Sequence, residues 1–288
     1  MTGRSLAGAI IGLMSLSSPS ECQVLQGQLP ETYTYREIDG RPLAAYVFSP
    51  VGHGRGSKSN GILLFHGGGW TAGSPEWTFE AARRFARAGL VAVAVEYRLS
   101  GEEATPIEAL ADACAAFEWA RRQADELGLT DRIAGYGVSA GGHLVASTAT
   151  VGCPGETDGA GYGPEALLLW SPALDVSGDG WFRRLLQGRA EVAELSPVEH
   201  VRPWTPPTSI VQGEKDTLTP VSGARRYCRL IIQEGGTCEL NVYPGVGHLL
   251  TRNLESQEGD FDPDPAAVAD GIAKHLAFLQ RLDLTVKR

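Results

Sequence analysis

The chain has no Lys/Arg-rich cluster, no Cys-x-x-Cys pair and, past its first twenty residues, no apolar run of bilayer length. Each absence removes a class of function. Nucleic-acid binding needs a basic face to neutralise phosphates, yet here 25 Lys and Arg stand against 34 Asp and Glu, a net charge of −9. A zinc site or dithiol redox centre needs cysteines at short, paired spacing, and the five cysteines are scattered. A spanning helix needs about 20 apolar residues, so no membrane anchor is expected. Internal repeats and low-complexity tracts are also missing, which sets solenoid and fibrous architectures aside.

What is there is 288 residues with a hydrophobic fraction of 43%, enough for one large domain with a sizeable core. The N-terminus differs from the rest. Residues 1–4 are short and positive, residues 5–16 apolar and uncharged, and Ser17-Ser18-Pro19-Ser20 small and turn-forming. That layout matches a secretory signal peptide. Residues 1–20 are therefore expected to direct export, secreted or periplasmic, the alternative being a disordered leader on a cytoplasmic chain, with residues 21–31 as a leader and residues 32–288 as one domain. Cys22 follows Ser-Pro-Ser-Glu, which is not a lipoprotein box, so lipidation is not expected. Cys228 falls late in an expected helix and Cys238 early in the next strand. The short Gly-Gly turn between them allows a disulfide in an exported chain; in a reducing compartment both would be small buried hydrophobes.

Along the chain, residues 32–38 and 43–48 flank Asp39-Gly40-Arg41-Pro42 and read as a β-hairpin. After a Gly/Ser loop, apolar runs alternate with amphipathic stretches. Strands are expected at 61–65, 90–97, 132–138, 166–170, 207–211 and 238–243. Helices are expected at 76–88, 106–127, 140–151, 220–234 and 266–282. This alternation predicts an α/β fold: a mostly parallel sheet with helices on both faces and the hairpin as an antiparallel edge. Residues 173–205 break the rhythm, mixing Gly, Trp, Phe and Arg, and read as a short lid over the C-terminal sheet edge, where such sheets bind ligands. Residues 253–270 carry six acidic side chains and read as a solvated loop leading into the last helix.

The chemistry concentrates at Gly137-Val138-Ser139-Ala140-Gly141, between an expected strand and a helix of small residues. A Ser at so sharp a turn is exposed as a nucleophile, and the turn is too crowded for bulky residues two positions either side. Alone, the pattern also fits an ordinary strand-to-helix turn. A Ser hydroxyl further needs a base and a group that orients the base. Asp216 follows the expected strand 207–211, and His248 follows strand 238–243. Both stand at the sheet edge that holds Ser139. Asp175, after the preceding strand, is the rival acid, and Glu214 lies two residues too early. His143 reads as packed in the helix after Ser139, while His53, His200 and His275 border no strand end. An oxyanion needs aligned amide donors. His66-Gly67-Gly68-Gly69-Trp70 follows strand 61–65, so Gly68 and Gly69, with Ala140, are the expected oxyanion hole. The loop could also pass for a phosphate cradle, but the Lys-Ser/Thr such a cradle needs is missing. Trp70, Trp170, Trp181 and Phe182 are candidate substrate-pocket walls, each alternatively core.

HGGGW, Glu96-Tyr97-Arg98-Leu99, GVSAGG, Glu214-Lys215-Asp216-Thr217 and GVGHL together resemble the α/β-hydrolase fold superfamily over roughly residues 30–285. Within it the acetyl-esterase/lipase group related to hormone-sensitive lipase is the nearest branch, with bacterial feruloyl and acetyl-xylan esterases as relatives. The resemblance implies a carboxylic-ester hydrolase using Ser139, Asp216 and His248, with no cofactor and no metal. Its substrate would be a small-molecule or polysaccharide-linked ester. Val138 stands where many relatives carry Asp or Glu, and Glu96 where many carry Asp. A helical cap before the first strand is not evident. The competing readings are a serine peptidase or amidase of the same fold and a non-catalytic binding module on the same scaffold.

Overall fold

The computed structural model describes residues 29–285, apart from 55 and 154–162. Strands β1 (Glu31–Ile38) and β2 (Arg41–Phe48) form the expected hairpin, joined through Asp39 and Gly40, both at positive φ. β1 is only half-buried, as an edge strand should be. The following strands β3 (Ser59–Phe65), β4 (Val91–Val95) and β5 (Leu129–Val138) are apolar and buried along 61–65, 91–95 and 133–137, where they are covered on both faces. With β6 (Leu167–Trp170), β7 (Thr208–Gly213) and β8 (Cys238–Tyr243) they complete one sheet of eight strands among the described residues, in the order β1-β2-β4-β3-β5-β6-β7-β8. β2 pairs antiparallel with both β1 and β4; the remaining pairs are parallel.

The period of two along the strands divides the core. Leu63, Phe65, Val91, Val93, Val95, Leu167 and Leu169 face one side, where they meet helices α2 (Pro106–Arg122), α3 (Ala140–Thr150) and α5 (Val221–Gln233) through residues such as Phe117, Leu144 and Tyr227. Ile62, Leu64, Ala92, Leu168 and Trp170 face the other side, against α1 (Phe79–Arg87) and α6 (Pro265–Arg281) through Phe85, Phe278 and Leu279. Burying each of these large side chains is worth roughly 1.5–3 kcal/mol. α2 begins on a capping box in which the Thr105 side chain and Glu108 satisfy each other's backbone amides, with Pro106 in the first turn. It ends at Arg122, five residues short of the expected 127, because the chain turns back so that the Leu129 amide reaches the Ala124 carbonyl.

Cys228 and Cys238 are bridged, tying α5 to β8. A second bridge, Cys114–Cys153, has no counterpart in the sequence reading; it fastens α2 to the segment after α3. By loop-closure entropy the bridges, spanning 10 and 39 positions, stabilise by about 3 and about 4 kcal/mol. Cys22 and residues 1–28, which include the expected export signal, lie outside the described residues. No described helix is long and apolar enough to cross a membrane.

The 173–205 excursion is a built element. It holds α4 (Gly180–Leu185), capped by Asp179, and short 3-10 turns at Val192–Leu195 and Pro197–His200. Arg189 pairs with Glu108 at 2.6 Å, and Gln187 donates to the Gly101 carbonyl at 2.8 Å. Burial works to raise the Glu108 carboxyl, but bonds from Arg189 and Thr105 outweigh it and hold the group down to about 2.

Candidate active site

Ser139 follows the last residue of β5, and its backbone sits at φ 52°, ψ −115°. A non-glycine residue there costs of order 1–3 kcal/mol, a strain that recurs at functional sites. The crowding expected around it is explicit. A Cβ on Gly137 would come within 2.3 Å of the Gly141 carbonyl oxygen, and one on Gly141 within 2.2 Å of the Phe65 oxygen. The Ser139 amide donates to the Trp170 carbonyl of the neighbouring strand, which fixes the turn against the sheet.

His248 Nε2 lies 3.1 Å from Ser139 Oγ, and His248 Nδ1 lies 2.9 Å from Asp216 Oδ2. The carboxylate is an acceptor, so the proton on Nδ1 points to Asp216 and Nε2 is left to accept from the Ser hydroxyl. Both His248 and Asp216 are buried. The carboxylate is held on every side. Oδ1 accepts from the Leu218 and Thr219 amides at 3.0 and 2.8 Å, and Oδ2 from Gln212 Nε2 at 2.8 Å. The Thr219 hydroxyl lies 2.9 Å from Oδ2 and 3.2 Å from His248 Nδ1. Gln212 and Thr219 escaped the sequence reading, although both flank Asp216 within four residues. Ser171, whose Oγ accepts from the Leu249 amide at 3.1 Å, escaped it too. The rival acid Asp175 is engaged elsewhere: Arg226 reaches it at 3.0 Å and binds Glu199 as well.

The glycine loop after β3 faces this group. A Cβ on Gly67 would stand 3.2 Å from Ser139 Cβ. Gly68 sits at φ +112°, and a side chain there would collide with the Ala72 carbonyl at 2.1 Å. The Ala72 and Thr71 amides donate to the Gly68 carbonyl, closing the turn. Among the described residues, no hydrogen bond engages the amides of Gly68, Gly69 or Ala140, so all three remain available to an oxyanion. Below the loop, His66 stacks on Tyr97 with ring centres 4.3 Å apart, and the Tyr97 hydroxyl donates to the His66 carbonyl at 2.8 Å. Burial pushes His66 down from its ordinary range. Next to Tyr97, Arg98 grips the fully buried Asp112 with two side-chain bonds and its own amide, and Arg36 adds a third guanidinium contact. The Glu-Tyr-Arg-Leu motif thus acts as scaffold beneath the loop.

The four aromatic candidates separate. Trp181 is 44% exposed. Its indole N–H donates to the Gly69 carbonyl at 3.2 Å, and Arg184 lies over its ring. Trp70 and Phe182 are buried and pack edge to face with each other and with His143. Trp70 donates to His143 Nδ1 while His143 Nε2 donates to the Leu195 carbonyl at 2.8 Å, a neutral core histidine pushed down by burial to about 4. Trp170 points to the opposite side of the sheet, against Gly271 and His275 of α6. Trp70, Trp170 and Phe182 are therefore core, as the alternative reading had it, and only Trp181 stands in the open. The 253–270 stretch needs correction also. Most of it is solvated, but Gln257 is buried and bonded to the His248 amide.

A family model described as alpha/beta hydrolase fold matches residues 62–252. Esterase 2 of Thermogutta terrifontis, in a form phosphoramylated by tabun, superposes with a TM-score of 0.79 at 29% identity, covering 90% of this chain and 97% of that one. Its butyrate-bound form gives 0.78 at 28%, covering 90% and 96%. Carboxylesterase NlhH of Mycobacterium tuberculosis is 36% identical over 220 residues, 65% of this chain and 65% of its own length. An arylesterase of Saccharolobus solfataricus is 36% identical over 115 residues, 39% of this chain. The match spans only 36% of that arylesterase.

Proposed function

Because the chain belongs to the α/β-hydrolase fold family, we propose that it is a serine carboxylic-ester hydrolase that cleaves short-chain acyl esters through an acyl-enzyme. The observation that carries this reading is the unbroken run from Ser139 Oγ through His248 to Asp216, at 3.1 and 2.9 Å. Ser139 attacks the ester carbonyl while His248 Nε2 takes its proton. Asp216 holds the imidazole tautomer and stabilises the imidazolium. The amides of Gly68, Gly69 and Ala140 receive the negative charge of the tetrahedral intermediate. His248 then returns the proton to the departing alcohol, and a water activated by the same nitrogen releases the acid.

The short-acyl preference rests on two supports. Trp181 stands over the Gly69 carbonyl from the 173–205 excursion, which acts as a small lid and shortens the space beyond the loop. The Thermogutta esterase, for its part, has been captured with propionate and with butyrate. Export is part of the proposal, since two disulfides suit an oxidising compartment.

The test is Ser139→Ala. It should abolish p-nitrophenyl acetate hydrolysis by roughly three orders of magnitude or more while leaving the fold intact. An organophosphate should label the wild-type chain once, at Ser139. Wild-type rates in purified Ser139→Ala would end the proposal. A p-nitroanilide of the same acyl group, cleaved faster than the ester, would move it to an amidase.

A further inference from the structure

Immediately after His248 the backbone enters an unusual conformation: Leu249 and Leu250 lie at φ 54° and 61°. Two successive branched residues in the left-handed region persist only where the surroundings hold them. Two external tethers do so. The Leu249 amide is taken by Ser171 Oγ, and the His248 amide by Gln257 Oε1 at 2.8 Å.

Gln257 reaches further than one bond. The same Oε1 accepts from the Thr217 amide at 3.2 Å, and Nε2 donates to the Lys215 carbonyl at 3.0 Å. Thr217 and Lys215 are the two neighbours of Asp216. One buried amide, 5% exposed, therefore joins the backbone that carries the acid to the backbone that carries the base. Its fit is close, because a Cβ on Gly247 would stand 2.5 Å from Gln257 Cδ. The loop that delivers it is closed at its neck. The Arg252 amide donates to the Asp262 carbonyl, the Asp264 amide to the Leu250 carbonyl, and Arg252 pairs with Asp262.

We propose that Gln257 is a positioning residue that sets the separation between His248 and Asp216, and through it the alignment of His248 on Ser139. This rests on the hydrolase reading above. The Gln212 and Thr219 side chains act on the carboxylate or the imidazole itself; the Gln257 side chain acts on the two main chains behind them, beside the backbone bond from the Lys215 amide to the Val246 carbonyl. A displacement of about 1 Å at a reacting group can cost on the order of 100-fold in rate, and the Gln257 bonds stand against such a drift.

The experiment compares Gln257→Leu, which keeps volume and removes all three bonds, with Gln257→Glu, which keeps an acceptor for the two amides. Steady-state kinetics on p-nitrophenyl acetate are read well below each variant's Tm, per site titrated with an organophosphate. Gln257→Leu should lose roughly 10- to 100-fold in kcat with KM changed less than about threefold. Gln257→Glu should recover most of that loss. The low-field proton resonance of the His248–Asp216 bond should be sharper in the wild type than in Gln257→Leu. A folded Gln257→Leu with a lower Tm but kcat within twofold of wild type and an unchanged resonance has lost only stability, and the proposal falls. If Gln257→Leu does not fold, Gln257→Glu decides. The lost bond to Lys215 should then cost about threefold or more in kcat, and an unchanged kcat overturns the idea. A wild-type chain inactive on all esters refutes the hydrolase reading instead, while the resonance still reports on Gln257.

Discussion

Replacing Asp216 by Asn changes a single atom, and the site has no place to put it. Oδ1 faces two backbone donors, Leu218 and Thr219, at 3.0 and 2.8 Å. Oδ2 faces Gln212 Nε2 at 2.8 Å and His248 Nδ1 at 2.9 Å. With the amide nitrogen toward the loop, two charge-assisted bonds of about 1.5–3 kcal/mol each turn into donor-donor contacts. With it toward His248, the imidazole must carry its proton on Nε2, and the Ser139 hydroxyl loses its acceptor. Gln212 cannot relieve the clash by flipping, since its Nε2 also donates to the Thr219 carbonyl. Asp216→Asn should therefore lose several degrees of Tm and, still folded, about 10⁴ in kcat, the loss the wrong tautomer causes in the chymotrypsin-type triad. That factor is about 5 kcal/mol of transition-state stabilisation. The assay is p-nitrophenyl acetate hydrolysis at a temperature where circular dichroism shows native protein. Asp175→Asn, which touches Arg226 rather than His248, serves as the comparison and should cost less than about threefold. If Asp175→Asn proves the more damaging, the acid has been misassigned.

Two further outcomes follow from the same geometry. Trp181→Ala should raise kcat/KM for hexanoyl relative to butyryl esters, because each methylene that gains a dry contact is worth about 0.8 kcal/mol, close to fourfold; an unchanged chain-length profile would remove Trp181 from the acyl pocket. Acid should destabilise the fold well before the carboxylates titrate, since burial holds His143 down to about 4 and His275 to about 3. Below their unfolded value of about 6.5, the unfolded chain binds protons that the native one refuses. Stability is then complete above about pH 7 and falls by about 1.4 kcal/mol per pH unit for each histidine as pH drops toward 4. Urea unfolding at pH 7.5, 6 and 5 measures this, and a slope no steeper than that of a His275→Leu variant would count against it.

The parts of this molecule that obey a period or a spacing were readable from its residues. The alternation of apolar runs located the strands and their order along the chain, and the position of Asp216 and His248 just past β7 and β8 placed them beside Ser139. What stayed hidden has no periodic signature. Gln257 lies between exposed Ser256 and Glu258 in an acidic stretch, and only the closed neck of its loop turns it inward. Cys114–Cys153 joins residues 39 positions apart, a pairing that needs the α2–α3 packing to become visible. The aromatic candidates stayed open between pocket wall and core for a related reason. Trp170 has the composition of a pocket wall, and which side of the sheet its ring meets follows from strand register, which its immediate neighbours do not specify. β-Strand order was equally out of reach, because the exchange of β3 and β4 across the sheet centre is a matter of crossover geometry.

The sheet order also has a meaning in time. As the chain is synthesised, Ser139 exists 109 residues before His248, and its glycine loop earlier still. The strand that leads to His248 is the last of the sheet to be synthesised and lies at its far edge beyond β7, and Gln257, which bonds the His248 amide, comes nine positions after His248. Under the proposed function, a nascent chain therefore carries Ser139 and the amides of Gly68, Gly69 and Ala140 before the histidine that would activate the serine. On the proposed mechanism, a chain that ends before His248 holds Ser139 and its glycine loop but has no base to take the serine proton.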